Sequence, residues 1–515
     1  MLSRKALRDL IRSYTAAAPR ARATRSFAST VRRRNVVNEL EQRGMLAELT
    51  SQRARTHVES PTTVYLGVDP SARSLHVGNL LALIGLLHFR LQGHNAVALI
   101  GGATGAIGDP SGRSTERNAL SPDTLAANVE GITKQLTAFL DRGVAFAQSR
   151  TRPRFGDEAN GKGEGEKSEG SVRIVNNLDW TGGMSLLEFL STVGKMARVS
   201  TMLSRESVKS RLDSSSGISF TEFSYQLLQA HDFLRLHRDL GCTMQLGGSD
   251  QLGNIVSGVD LIRRANFVEA GLAGEGEGAS ASGDEAARDD PAFGLTFPLL
   301  TTAAGDKFGK SAGNAVWLDP GMTSPFDLYQ FFLRTTDDEV EKYLRIFTFM
   351  RIGEIEGILY DHKANPKNRI AQKVLASEAT ELIHGPEGLR QALAATDVFY
   401  GASLSSSSSS SSVTADVISA LDGSSTALVP IPSLLTRLPR AAYVGQQLEK
   451  VVLASGLLPS KTKARQAVES GTLQVNGVRV PTKTANVVLR EDDLLDGRLV
   501  VLKAGKQGHK AVLLE

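Results

Sequence analysis

Two stretches of the chain carry residue types suited to holding phosphate. The first follows the apolar run Val64-Tyr65-Leu66-Gly67-Val68 and reads Asp69-Pro70-Ser71-Ala72-Arg73-Ser74-Leu75-His76-Val77-Gly78-Asn79-Leu80. Its glycines let a ligand approach the backbone, and His76 and Asn79 stand three apart at the start of an expected helix, where unpaired N–H groups and the dipole favour anions. Taken alone, a histidine at a helix start is more often a surface or capping residue. The second stretch, Lys307-Phe308-Gly309-Lys310-Ser311, is a loop bounded by Gly305 and Gly313. Two lysines three apart can close over a polyphosphate, although a solvated basic loop is the commoner meaning of such a run. A third group, Tyr225, Gln229 and Asp232, is spaced by four and three and so falls on one side of a helix. By itself that spacing is equally that of a polar helix face.

These side chains need a frame, and the pattern around them alternates strand and helix. Val64–Val68, Ala96–Ile100, Val172–Val175 and Met244–Leu246 are short apolar runs of the kind that form buried parallel strands. Asn79–Leu91 is apolar almost all round, as a buried helix is, and a further helix is expected over Gly253–Arg264. This alternation predicts an α/β fold with a doubly wound, Rossmann-like parallel sheet, in which ligands sit at the carboxyl ends of the strands. After Ser324 the pattern becomes helical: Asn365-Pro366 reads as a helix start, Ile370, Val374, Leu375, Ala379 and Leu382 share a face, and Gly385 reads as a stop.

Composition bounds the rest. The 515 residues are too many for one compact domain; 41% are hydrophobic, and 59 Lys and Arg against 55 Asp and Glu leave a formal charge of +4. Ten of the basic side chains and one acid fall in residues 1–34, with Leu7, Leu10, Ile11 and Tyr14 at helical spacing. Such a leader, over 1–35, reads as a mitochondrial presequence, with a basic arm binding nucleic acid as the competing reading. The remainder is net acidic. One cysteine, Cys242, excludes an internal disulfide and a thiol-built zinc site, and the longest apolar run, Leu80–Leu87, is too short to cross a bilayer, so no membrane partner is expected. Residues 156–170 and 271–290 are Gly/Glu/Ser-rich insertions, and 401–430, with eight consecutive serines at Ser405–Ser412, reads as a linker.

The two phosphate-binding stretches resemble the signatures of the class I aminoacyl-tRNA synthetases, HIGH and KMSKS, present here as HVGN (His76–Asn79) and KFGKS (Lys307–Ser311). More narrowly the chain resembles bacterial-type tyrosyl-tRNA synthetases. That resemblance is carried by TVYLGVDPSARSLHVGNL from Thr63, ALIGGATGAIGDPSGRSTER from Ala98, SGISFTEFSYQLLQAHDFLRL from Ser216 and QLGGSDQLGNI from Gln245. It runs from about Val37 to about Ala394 and resumes after the linker. It implies a Rossmann-like catalytic domain over 36–324, a helical anticodon-side domain over 325–400 and a small α+β S4-like RNA-binding domain over 431–515. The S4 likeness rests on Ala454–Val468 and Gly471–Gly477, with Lys461, Lys463 and Arg465 at a helix N-terminus and Asn476-Gly477 as a hairpin turn.

The resemblance also implies the chemistry: activation of L-tyrosine by ATP, with Mg2+ carried on the ATP phosphates, then transfer to tRNA(Tyr) by a homodimer in the mitochondrial matrix. The amino-acid carboxylate is already ionised at neutral pH, so attack on the α-phosphorus needs no general base and rests on positioning and charge stabilisation. By resemblance, His76, Asn79, Lys307, Lys310 and Ser311 are catalytic; Gly67, Asp69, Ser71, Gly248 and Asp250 join His76, Asn79 and Lys310 around ATP. Tyr65 and Asp232 read the phenol hydroxyl, Asp109, Tyr225 and Gln229 hold the α-ammonium group, and Gln251 faces the carboxylate or α-phosphate. Asn79 stands where the family has a second histidine, and Leu66, Val68 and Leu252 also depart from the usual residues. Two other readings compete: an RNA-binding or intron-splicing factor that has kept the fold, and a tryptophan enzyme. The second fits poorly, because an indole has no phenolic oxygen for the Tyr65 and Asp232 pair.

Overall fold

The computed structural model describes residues 35–111, 120–151, 170–213, 217–269, 290–300, 315–400, 421, 434–481, 487–505 and 508–515. The basic leader, Lys307, Lys310, Ser311, nearly all of both insertions and nearly all of the linker lie outside the described residues. The chain forms two compact units, one of 35–318 with 336–371 and the other of 319–335 with 372–515. The helical stretch 325–400 thus contributes to both.

The first unit is built on a six-stranded sheet: β1 (Glu48–Leu49), β2 (Thr63–Val68), β3 (Asn95–Ile100), β4 (Val172–Asn176), β5 (Cys242–Gly248) and β6 (Phe293–Phe297), in the order β1-β6-β5-β2-β3-β4. All neighbours are parallel except the short edge strand β1, which pairs antiparallel with β6. The inner strands read as unbroken apolar runs because both faces are covered; Val64, Ala98, Met244 and Leu295 have no exposed surface.

Helix α1 is Val36–Gln42, and α2 (Val77–Leu91) makes the crossover from β2 to β3. α2 is apolar on nearly every side because it is enclosed: Leu80, Leu83, Ile84, Leu86 and Leu87 are fully buried. Gly85 lets it approach β6, since a Cβ there would stand 2.2 Å from the Phe297 ring. Helices α3 (Thr104–Ile107) and α4 (Pro122–Thr151) follow β3, α5 (Phe220–Leu240) precedes β5, and α6 (Leu252–Glu269) joins β5 to β6. Ser219 caps α5 by accepting the Glu222 N–H at 3.2 Å, and Gly241, at φ 60°, ends it in the left-handed conformation.

Two further helices of this unit are α7 (Val340–Phe347) and α8 (Ile352–Ala364). Buried Arg43, just past α1, donates to the carbonyls of Arg345, Thr348 and Met350 at 3.1, 3.0 and 2.8 Å. It thereby satisfies acceptors at the C-terminal end of α7 that would otherwise be orphaned. Asn365-Pro366 opens only a 3-10 turn, Pro366–Asn368, because Arg369 takes a left-handed φ of 50° and the long helix starts afresh at Ile370. Gly385 does break that helix, at φ 74°, and Pro386 begins its second half, which runs to Tyr400.

The second unit carries a five-stranded sheet ordered β7-β11-β10-β8-β9, from β7 (Leu435–Leu438), β8 (Leu473–Val475), β9 (Val478–Arg479), β10 (Leu499–Ala504) and β11 (Gly508–Leu514). Asn476 and Gly477, at φ 49° and 82°, make the tight β8–β9 hairpin, as the Asn-Gly pair predicts. A helix over Lys461–Glu469, capped by Ser460, presents Lys461, Lys463 and Arg465 to solvent. Arg465 pairs with Glu469 at 2.7 Å and Lys461 lies 3.8 Å from Glu449. Among the described residues no helix is long and apolar enough to cross a membrane.

Candidate active site

Strand order reverses between β2 and β5, and the loops that leave β2, β3, β4 and β5 bring their polar side chains together at this carboxyl edge. The β2 loop is seated by one face of α4. Asn128 donates to the Pro70 carbonyl at 3.0 Å, Gln135 accepts the Leu75 N–H at 2.7 Å, and Gly131 between them leaves room for the Arg73 carbonyl, which a Cβ would approach to 2.6 Å. Gly67, at the end of β2, is exposed with no atom within 4 Å of where a Cβ would stand, so that strand end is open to a ligand.

His76 and Asn79 form a reciprocal cap at the N-terminus of α2. His76 Nδ1 accepts the Gly78 N–H at 3.1 Å, and Asn79 Oδ1 accepts the His76 N–H at 3.1 Å. A neutral His76 therefore carries its proton on Nε2, and Asn79 keeps its NH2 for an acceptor. Residues 316–318 run along this turn: the Val316 carbonyl accepts from Val77 N at 2.9 Å, the Leu75 carbonyl accepts from Leu318 N at 2.8 Å, and the Trp317 ring meets the His76 ring edge-on at 6.0 Å. Residues 316–318 therefore lie beside His76, whereas Lys307 and Lys310 lie outside the described residues.

Deeper in the edge, Tyr65 on β2 and Asp232 on α5 are both buried. The Tyr65 hydroxyl has no hydrogen-bond partner. Asp232 takes Asn177 Nδ2 on Oδ2 at 2.9 Å and Trp180 Nε1 on Oδ1 at 2.8 Å. Burial pushes the Asp232 carboxyl up to about 7, against the pull of those two donors and with a further push from the Asp69 charge. Burial, then the charge of Asp232, also drives the Tyr65 hydroxyl well above the usual phenol range. Asn177 continues the chain to Thr104 Oγ1 at 3.0 Å, Thr104 donates to Asp69 Oδ1 at 3.0 Å, and the Tyr225 hydroxyl donates to Asp69 Oδ2 at 2.8 Å. Gly101 is what permits this, since a Cβ there would stand 2.3 Å from Asp69 Oδ1 and 2.4 Å from Thr104 Oγ1.

A second cluster lies alongside. Gln251 donates to Asp109 Oδ2 at 2.6 Å, Gln229 donates to Gln251 Oε1 at 3.2 Å, and Asn254 donates to Gln229 Oε1 at 3.0 Å. The structure thus brings Asp69, Tyr225 and Asp232 into one network and Asp109, Gln229 and Gln251 into another, with the unpartnered Tyr65 hydroxyl buried in the field of Asp232. Gly67, Ser71, His76 and Asn79 line the β2 loop and helix start, and Gly248 and Asp250 lie at the end of β5. Asn177, Trp180, Thr104 and Asn254 escaped the reading from sequence, though the first three sit within the Asn-Asn-Leu-Asp-Trp and Gly-Gly-Ala-Thr stretches that follow β4 and β3. Leu66 and Val68 are buried in β2, and Cys242 is a buried thiol that burial pushes up to about 12. Among the described residues no group of three or more His, Cys, Asp or Glu is gathered as for a metal ion.

Residues 57–401 match the family model of class I tRNA synthetases (W and Y), and residues 432–512 match that of the tyrosine--tRNA ligase SYY-like C-terminal domain. The chain is 40% identical to the tyrosine--tRNA ligase of Opitutus terrae over 93% of its own length and 99% of that protein. It is 39% identical to the chloroplastic/mitochondrial tyrosine--tRNA ligase of Arabidopsis thaliana, over 93% of this chain and 84% of that one. Among solved structures it is similar to a C-terminally truncated mitochondrial tyrosyl-tRNA synthetase of Aspergillus nidulans, at 33% identity and a TM-score of 0.59, covering 75% of this chain and 96% of that one. Matched by both family models and 40% identical to a tyrosine--tRNA ligase over nearly its whole length, the chain belongs to the class I tRNA synthetases, within the tyrosine–tRNA ligases.

Proposed function

We propose that this protein activates L-tyrosine with ATP, releasing pyrophosphate, and transfers the tyrosyl group to the 3'-terminal ribose of tRNA(Tyr). The observation that carries the amino-acid choice is the buried pair: a Tyr65 hydroxyl without a partner, lying in the field of the Asp232 charge. A phenol serves both, accepting from Tyr65 and donating to Asp232, whereas a phenylalanine ring leaves the Tyr65 hydroxyl buried and unpaired and gives the buried Asp232 carboxylate no third donor. Asp109, Tyr225 and Gln229 take the α-ammonium group, and Gln251 faces the carboxylate or α-phosphate. ATP enters as substrate with Mg2+ on its phosphates. Gly67, Asp69, Gly248 and Asp250 take the nucleoside end, Ser71, His76 and Asn79 the phosphates, and Lys307, Lys310 and Ser311 the departing pyrophosphate, with charge-assisted donors aimed where negative charge develops.

Lys461, Lys463 and Arg465 suit RNA phosphates on an S4-like domain, and the apolar side chains Leu186, Leu187 and Phe220, each at least 70% exposed, support a homodimer contact. The Arg-rich leader and the organellar relatives support a mitochondrial address. The test is ATP–pyrophosphate exchange driven by tyrosine, phenylalanine or tryptophan. Tyrosine alone gives robust exchange, and Lys310→Ala loses most of the rate while still binding tyrosine. Equal exchange with phenylalanine removes the assigned role of Asp232.

A further inference from the structure

Asn254 lies in the first turn of α6, is 3% exposed, and points its amide nitrogen at four acceptors. Gln229 Oε1 is 3.0 Å away, Ser111 Oγ 3.1 Å, and Asp109 Oδ1 and Gln251 Oε1 each 3.4 Å. The surrounding bonds have only one consistent direction. Asp109 as a carboxylate can only accept, so Gln251 meets it with Nε2; that leaves Gln251 Oε1 to accept from Gln229 Nε2, and Gln229 Oε1 then requires a donor. Asn254 supplies it, while its second hydrogen is directed at Ser111 and Asp109. The Ser111 N–H also donates to Asp109 Oδ1, at 2.9 Å, which ties the carboxylate to its own turn.

We propose that Asn254 is a positioning residue for amino-acid recognition: as the double donor that closes the Gln229–Gln251–Asp109 ring, it holds the Gln229 oxygen and the Asp109 carboxylate where the α-ammonium group meets them. The inference rests on the assignment of Asp109, Tyr225 and Gln229 to that group. Without the Asn254 donor, Gln251 still directs the Gln229 NH2 at 3.2 Å, but Gln229 Oε1 loses the bond that fixes it and no longer stands as a held acceptor for the ammonium group. An acceptor-only side chain does more harm, since its oxygen opposes Gln229 Oε1 where the Asn254 nitrogen had donated.

The test compares dissociation constants of L-tyrosine and of 3-(4-hydroxyphenyl)propionate, which lacks only the amine, on the full-length protein and on Asn254→Asp, Asn254→Ala and Asn254→Ser. Asn254→Asp and Asn254→Ala weaken tyrosine about tenfold or more and leave the propionate within about twofold, so the preference for the amine collapses; Asn254→Ser, which keeps one donor, retains part of it. Equal losses for both ligands, an unchanged preference, or a serine variant as poor as the aspartate variant overturns the inference. Asp109→Asn separates the two layers. A preference lost there but intact in the Asn254 variants sinks the positioning role alone, and a preference that survives Asp109→Asn sinks the ammonium assignment beneath it.

Discussion

Replacing Asn177 by alanine probes Asp232, the carboxylate proposed to sense the phenol, through a residue that the proposed reaction does not itself use. Asn177 is fully buried directly after β4, where its oxygen accepts the Ala103 N–H at 2.7 Å and its nitrogen donates to Thr104 and Asp232. Burial holds the Asp232 carboxyl at about 7, and the Asn177 donor is the larger of the two hydrogen bonds pulling it down. A hydrogen bond to a charged group contributes about 1.5–3 kcal/mol, and about 1.4 kcal/mol corresponds to one pH unit, so Asn177→Ala raises the carboxyl by roughly one to two pH units. A phenol donates best to the ionised carboxylate. At neutral pH the ionised fraction falls from about one half to between about one in ten and one in a hundred, which weakens tyrosine binding by roughly five- to fiftyfold.

The loss is recoverable. Raising the pH to about 8.5 restores ionised Asp232, so the ratio of variant to wild-type affinity climbs as alkali is added, which a misfolded site does not do. Stability shifts in the same window. Because the folded-state value lies above that of an unfolded aspartate, the native protein binds the extra proton between about pH 4 and pH 7, and its stability declines as pH rises through that range; in the variant the decline continues to about pH 8–9. Tyrosine titrations by intrinsic fluorescence across the range, with thermal melts alongside, read both. A midpoint that stays put or moves down, or a loss that is the same at every pH, refutes this account of the Asp232 environment. Trp180→Phe removes the other donor, at 2.8 Å, and shifts the midpoint in the same direction.

Tyr65→Phe deletes a buried hydroxyl that has no partner, so the unliganded protein gains about 1 kcal/mol of stability in denaturant titrations while losing preference for tyrosine over phenylalanine in exchange assays. Arg43→Ala strips the donors from three backbone carbonyls at the end of α7 and costs about 3 kcal/mol or more by the same titration, and Arg43→Lys recovers only part because an ammonium lacks the guanidinium fork. Trp317→Ala removes the ring that meets His76; an aromatic contact contributes about 0.5–1.5 kcal/mol, so tyrosine-dependent pyrophosphate exchange slows about two- to tenfold while tyrosine binding, measured without ATP, is unchanged.

The elements that hold the site were legible where a local pattern has one physical meaning. β2 and β3 announce themselves as unbroken apolar runs because both faces of a central parallel strand are covered, and Tyr225, Gln229 and Asp232 share a helix face because four and three residues each come close to a full turn. The Asn365-Pro366 signal misled for an equally local reason. Proline suits a helix start, but Arg369 three residues later takes a left-handed conformation, so only a 3-10 turn forms. The groups that orient the site left no such trace. Asn128, Gln135, Thr104, Asn177 and Asn254 act across 58, 60, 35, 55 and 145 positions of the chain, and a neutral amide or hydroxyl carries no spacing that distinguishes it from a surface residue.

That division follows from what a selective pocket demands. A helix or strand satisfies its own backbone and can be read from its neighbours, but a site that recognises a hydroxyl must keep polar groups buried and incompletely satisfied until the ligand arrives. Tyr65 meets that demand with an unpartnered hydroxyl and Asp232 with a carboxyl that burial lifts toward neutrality. Neither arrangement is stable by itself, so each needs anchoring from elsewhere in the fold: Tyr65 packs against Phe233 with ring centroids 5.1 Å apart, and Asp232 is held by Asn177 and Trp180, both from the far side of β3. If those anchors served stability alone, removing the Asn177 or Trp180 donor would lower tyrosine and phenylalanine binding together. Because they set the charge on one oxygen, their loss instead falls on the hydroxylated substrate and is reversed by alkali.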